Sequence, residues 1–316
     1  MVGRSRLHHG QSIRMRGRNL TRREALAGAA AALIPTPAIA ASYKPKISVA
    51  CYISTQQFSL RKINPIDGLE ETYSTFQKAG YHWVELINSF LQGDLKERTV
   101  ALMKQYKLRC SMAYNGGVMH DDAAAEKTIA STLDIADAAK SLGAVGMVIN
   151  CNPLPRNDRK SDEQLRTEAA NLNKLGRELK SRGMRVCLHH HAPDLMENAR
   201  EWLYMLHNTD PKLVWMCPDA DWIRYAKLDM IGLLREAGTR IGDMHLRNSE
   251  GGVWTEDLGP GEVDYPAIAK FLREIKYDGF LSVELGYAKD TKITRSLDED
   301  LRRSREYTEK TFGVKA

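Results

Sequence analysis

Residues 241–285 read IGDMHLRNSEGGVWTEDLGPGEVDYPAIAKFLREIKYDGFLSVEL. The short apolar run at 241–246 has the length and composition of a buried strand. The stretch 264–279, DYPAIAKFLREIKYDG, follows a helical pattern, and 279–285 is a second short apolar run. One strand, one helix and one strand make a unit that repeats along the chain. Further strands are expected at 46–54, 83–87, 109–113, 145–150, 185–189 and 213–217. Between them lie NPIDGLEETYSTFQKAG, which closes on Gly80, and an Ala-rich amphipathic stretch at 122–144. SDEQLRTEAANLNKLGRELKSRGM then opens on Ser161 as N-cap and stops at Gly183, and SLDEDLRRSREYTEKTF ends the set. Eight strands alternating with helices predict an α/β protein built as a single (β/α)8 TIM barrel over residues 41–316. A doubly wound open sheet is the alternative. No glycine-rich phosphate loop follows the first strand, where CYISTQQFSL contains no glycine.

Residues 1–40 are of a different kind. They hold seven arginines against one acid, Glu24, which accounts for the whole formal charge of +6. The basic pI therefore gives no reason to expect a nucleic-acid partner, which would need clustered Lys and Arg on the folded part. Thr21-Arg22-Arg23-Glu24-Ala25-Leu26 precedes a weakly apolar run to Leu33, and Ala38-Ile39-Ala40 supplies the small residues of a cleavage site. The segment resembles a twin-arginine signal peptide. That resemblance implies the Tat export machinery as partner of the precursor and a periplasmic or secreted location. The apolar run is far short of the roughly 20 residues that span a bilayer, so no stable membrane anchor is expected. Met15 is an alternative start. The five cysteines, 51, 110, 151, 187 and 217, all fall in or beside apolar runs and read as small buried hydrophobes, not as a disulfide framework.

In a barrel of this kind the working residues stand where strands give way to βα loops. Strand two ends in Glu85, with Asn88 beyond it, and strand four in Asn150 and Asn152. Strand five ends in His189-His190-His191, strand six in Asp219-Ala220-Asp221-Trp222, strand seven in His245-Leu246-Arg247-Asn248 and strand eight in Glu284. His189, Asp219, His245 and Glu284 thus end four successive strands. Two imidazoles and two carboxylates form a mixed nitrogen and oxygen shell suited to one divalent ion of Mn, Zn, Co or Fe. Taken singly, a strand-end His is a hydrogen-bonded structural residue and an Asp a helix cap; four in a row are hard to explain that way. Strand alternation sends His189 and His191 to one side and His190 to the other, where it packs against a helix.

The segments VCLHHHAPD, CPDADWI, RIGDMHLRN and LGPGEVDYPAIAKFLREIKYDGFLSVEL resemble the xylose isomerase-like barrel superfamily. Its members include sugar phosphate isomerases/epimerases, inosose dehydratases and, more distantly, AP endonuclease. The resemblance spans 46–312 and is strongest from 185 to 286. It implies metal ligands at Asp219, His245 and Glu284. Two departures stand out. His189 replaces the strand-five Glu of ketose epimerases, in a His-x-His form similar to one seen among inosose dehydratase-like members. Trp222 and Gly251 stand where those epimerases carry a His and an Arg.

The expected chemistry is proton abstraction from a carbon beside a carbonyl, with Glu284 as ligand and base and His191 or Glu85 handling the second proton. Trp222 and Trp254 are candidate sugar platforms, and Arg247 and Asn248 candidate contacts to hydroxyls or a carboxylate. The reading is a divalent-metal-dependent isomerase or epimerase acting on a small-molecule carbohydrate, as a monomer or an oligomer. The alternatives are a lyase or dehydratase eliminating water or an alcohol from a keto-sugar or keto-inositol, and a non-catalytic periplasmic carbohydrate-binding barrel.

Overall fold

In the computed structural model, which describes residues 42–316, the eight expected strands form one ring. They are β1 (Lys46–Ala50), β2 (Trp83–Ile87), β3 (Arg109–Gly117), β4 (Gly146–Cys151), β5 (Arg185–His189), β6 (Val214–Cys217), β7 (Asp243–Leu246) and β8 (Phe280–Val283). Parallel ladders run in the order β6-β5-β4-β3-β2-β1-β8-β7. Parallel bridges at Met216–Ile241 and Asp219–His245 join β6 to β7 and close the ring. A doubly wound sheet keeps two open edges, so closure excludes that alternative. The leader reading of residues 1–40, with its two possible starts, falls outside the described residues. Among those described, no helix is long and apolar enough to cross a membrane.

Strand alternation sorts the side chains into two layers. Met112, Val148, Cys187, Cys217 and Phe280, one from each of five strands, form a small cluster inside the ring. Val84, Leu86, Met147, Ile149, Val186 and Leu188 belong to a larger cluster shared with the helices. Counting by twos from the inner layer gives His189 after Cys187, Asp219 after Cys217, and Ser282 and Glu284 after Phe280. The candidate residues thus stand at the top of the inward columns. The five cysteines are buried free thiols, as their surroundings in sequence suggest.

Helix signals were legible. Asn64 caps the helix Pro65–Lys78 by accepting from the Ile66 N–H at 3.2 Å, and Gly80 follows it at φ +89°. Ser161 and Gln164 form a reciprocal capping box on Asp162–Ser181. Two strand ends differ from expectation by four residues, the others by no more than two. β1 stops at Ala50: its last ladder bond is Cys51 N–H to Glu85 O at 2.9 Å, and Tyr52–Arg61 is a helix. β3 continues to Gly117, because Asn115, Gly116 and Gly117 pair with Ile149, Asn150 and Cys151 of β4. Gly117 is needed there, since a Cβ would lie 2.4 Å from Thr128 Oγ1.

Candidate metal centre and active site

His245 organises the inner rim. Its Nε2 lies 3.0 Å from Glu85 Oε2, while Nδ1, buried and without a hydrogen bond, lies 3.3 Å from Glu284 Oε2. Asp219 divides its carboxylate between two tasks. Oδ1 accepts from the Asp221 and Trp222 N–H groups at 2.8 and 3.0 Å and so caps the helix Ala220–Tyr225; Oδ2 faces Arg247 Nη2 at 2.9 Å. Burial pushes the Asp219 carboxyl up to about 6 against the pull of Arg247. Burial acts the same way on Glu284, but His245 and Arg247 outweigh it and hold that carboxyl down to about 2. Glu284 is therefore ionised at neutral pH.

Arg247, a candidate contact to substrate hydroxyls or a carboxylate, is buried against the chain's own acids. Besides Asp219 it approaches Glu284 Oε2 at 3.5 Å. Its guanidinium lies 4.1 Å from the ring centre of Trp254 and 5.5 Å from that of Trp222. Trp254 is in turn oriented by Nε1–H donation to Asp221 Oδ2 at 2.9 Å.

The three histidines separate as alternation requires. His190 turns outward, edge-on to Trp202 of the helix Met196–Asn208, and its Nε2 accepts the Asp219 N–H at 3.1 Å. It packs against a helix as expected and also anchors the Asp219 backbone. Burial depresses it to about 3. His189 is buried with neither ring nitrogen hydrogen-bonded, 4.6 Å between ring centres from His245, and burial lowers it well below the usual imidazole range. His191 stands edge-on to Trp222 and is lowered by burial to about 4.

Of the four expected ligands, Asp219, His245 and Glu284 offer donor atoms that all lie within 4.8 Å of one another. His189 is not brought into that group. It shares a second set with Cys217 and His245, because β5 pairs His189 with Cys217 one step below Asp219. The three-residue group fits a divalent ion on its own chemistry. It combines one imidazole nitrogen lacking a partner with two carboxylates, and the far nitrogen of that imidazole is held by a further carboxylate, Glu85.

Beside this group opens a cavity of about 240 Å³ at the C-terminal ends of the strands, walled by Tyr52, Tyr114, Trp222, Trp254, His191 and Arg247, with Glu85 and Glu284 also on its surface. Tyr52 and Tyr114 were not anticipated. Extending strand one through Ser54 placed Tyr52 inside a strand, and stopping strand three at Ala113 left Tyr114 one residue outside. Asn248 is a correction. Its Nδ2 donates to Gly259 O at 2.8 Å and its Oδ1 accepts from Ser249 and Val263 N–H at 2.9 and 3.0 Å, so its amide braces the loop and is absent from the cavity wall.

Comparison with known proteins agrees with this architecture. An inosose dehydratase of Clostridium perfringens is 26% identical over 170 residues, covering 48% of this chain and 56% of that protein. The chain thus spans little more than half the length of that relative. A D-allulose 3-epimerase from Methylomonas sp., solved in complex with D-allulose, superposes with a TM-score of 0.70 at 17% identity, covering 85% of this chain and 98% of that one. A sugar phosphate isomerase/epimerase from Parabacteroides distasonis gives 0.66 at 18%, with 86% and 96% covered. These named relatives are enzymes. The family model described as xylose isomerase-like TIM barrel matches residues 75–310, and the chain belongs to that family.

Proposed function

We propose that the protein is a divalent-metal-dependent isomerase or epimerase acting on a sugar or keto-sugar by removing a proton from a carbon beside a carbonyl. The observation that carries this reading is the buried Asp219–His245–Glu284 donor group at the edge of an aromatic-walled cavity. Asp219, His245 and Glu284 would hold the ion, with His189 adjoining. Bound there, a divalent ion supplies charge that polarises a carbonyl and makes the neighbouring carbon more acidic. The chain's own groups do the rest. Glu284, ionised and on the cavity wall, receives the proton. His191, kept neutral by burial and also on the wall, is free to accept a proton from a substrate hydroxyl and return it at a substrate oxygen or carbon. Trp222 and Trp254 offer apolar faces to a sugar ring and exclude water.

Elimination of water or an alcohol from a keto-sugar or keto-inositol shares the first proton removal. The inosose dehydratase relatives favour this second reading. Product analysis by NMR in D₂O separates the two: isomerisation or epimerisation conserves mass and places solvent deuterium at one carbon, whereas elimination loses water or an alcohol. A carbohydrate that binds to the metal-saturated protein without any solvent exchange would leave only a non-catalytic binding barrel. The leader motif supports action outside the cytoplasm, after twin-arginine export, and fractionation of cells expressing the full chain tests that.

A further inference from the structure

The Asp219–Glu284 carboxylate pair already has a cation on it. We propose that Arg247 is a built-in counter-ion of that pair, and that a divalent metal enters the site by displacing its guanidinium. The inference rests on the metal reading above and goes beyond it, because it gives the chain a second state of the same site.

Several observations converge. Arg247 Nη2 reaches Asp219 Oδ2 at 2.9 Å and Glu284 Oε2 at 3.5 Å, the two carboxylates of the candidate donor group. Asp219 Oδ1 is engaged by two backbone N–H groups, so Oδ2 is the oxygen both cations seek. The guanidinium is incompletely satisfied, since its Nε is buried without a partner. What holds it besides the acids is the face of Trp254, a weaker and less directional contact. The Arg247 backbone, by contrast, is pinned on both sides: its N–H donates to Tyr265 Oη at 2.9 Å, and Tyr265 Oη donates back to Arg247 O at 2.6 Å. Displacement is therefore a rotation of the side chain alone, and Gly286 flanks the guanidinium without a side chain in its path. A Cβ at Gly286 would lie 3.4 Å from Arg247 Nη1.

The physical consequence is competition. Without metal, Arg247 neutralises two buried carboxylates that would otherwise repel. A metal at the same oxygens meets the guanidinium at close range and must drive it away. Affinity for metal is then set by the difference between two cations, and the site stays assembled when empty.

Zn²⁺ is the probe, titrated against a competing chelator into metal-free wild type and Arg247→Met. The expected result is binding at least about tenfold tighter in the variant, because like-charge juxtaposition costs several kcal/mol. In wild type, Zn²⁺ saturation changes tryptophan emission as the guanidinium leaves Trp254; the change is largely lost in Trp254→Phe and in Arg247→Met. Equal or weaker Zn²⁺ binding by Arg247→Met overturns displacement and leaves Arg247 as a support for the ligands. If that variant does not fold, wild type alone decides: Zn²⁺ bound without any emission change overturns the proposal. Absence of Zn²⁺ binding in both proteins removes the metal reading as well, whereas equal binding removes displacement only.

Discussion

His245 and Glu85 meet inside the barrel at 3.0 Å although their strands, β7 and β2, are separated in the ring by β8 and β1. In the tautomer that could bind a metal, Nε2–H donates to Glu85 and Nδ1 is left facing Glu284 at 3.3 Å. Outer carboxylates of this kind typically contribute a factor of about 10–100 in metal affinity. Glu85→Ala is expected to weaken divalent-metal binding by that amount in chelator competition. A fall in kcat at unchanged metal affinity would instead put Glu85 on the substrate, as its place on the cavity wall permits.

Trp222 and Trp254 stand edge to face at 5.7 Å and together wall one side of the cavity. Trp222 makes no side-chain hydrogen bond that organises its neighbours, whereas Trp254 is tied to Asp221. Trp222→Ala is therefore expected to raise KM about tenfold, in line with the 1–3 kcal/mol that stacking on an aromatic ring contributes elsewhere. Its kcat should change little. Steady-state kinetics on the substrate identified by NMR checks the split.

Asn248 makes the opposite prediction. Removing its amide leaves the Ser249 and Val263 N–H groups without their acceptor, at a cost of about 1–3 kcal/mol for each buried group left unpaired. Asn248→Ala should lower the urea midpoint clearly, and the folded fraction should keep its KM.

The contrast between these residues shows what the sequence carries. Alternation and punctuation identify the barrel, because each strand–helix unit repeats the same apolar pattern and Gly80 and Gly183 mark helix ends. The same alternation picks out Asp219, His245 and Glu284, since inward columns must end at the mouth. Asn248 lies beyond its strand, where parity no longer constrains direction, and its bonds to Gly259 and Val263 depend on a loop fold that no local pattern encodes. His189 joins the expected ligand set because it ends one of four successive strands and shares the inward parity. Parity gives the side of a strand but not the height, and the register pairing His189 with Cys217 sets it one step below Asp219. Arg247 was legible as a functional position, but its partners were not, because ion pairs from the end of β7 to the ends of β6 and β8 are long-range contacts.

His190 titrates in a direction that can be isolated by substitution. Burial lowers its folded value to about 3, while an unfolded imidazole sits near 6.5. Between those values the unfolded chain binds the extra proton, so this residue's contribution to stability falls as the pH falls, by up to about 1.4 kcal/mol per pH unit. Above 6.5 it contributes no slope. Relative to His190→Gln, wild type should therefore lose stability from pH 6.5 towards 4 and run parallel from 7 to 8. Parallel curves across the whole range would show that His190 binds its proton as readily in the folded chain as in the unfolded one.

Lys160 tests whether the histidine-bearing wall rests on buried charge. It is fully buried, 2.9 Å from Glu168 Oε2 and 3.0 Å from Glu201 Oε2, and Asp194 beside this cluster accepts the His191 N–H at 2.8 Å. Burial raises the Glu168 carboxyl even with Lys160 present. Lys160→Met leaves two acids facing each other without a cation, which typically costs about 3–5 kcal/mol, whereas replacing a whole buried pair by apolar groups is often neutral. Lys160→Met should thus unfold at a much lower urea concentration than wild type, and Lys160→Met with Glu168→Leu should recover much of the loss. A double variant no more stable than the single one would mean that Lys160 acts through packing rather than charge. In the recovered double variant, unchanged kcat would confine the cluster to stability; a lowered kcat with intact metal binding would mean that the Asp194–His191 contact depends on it.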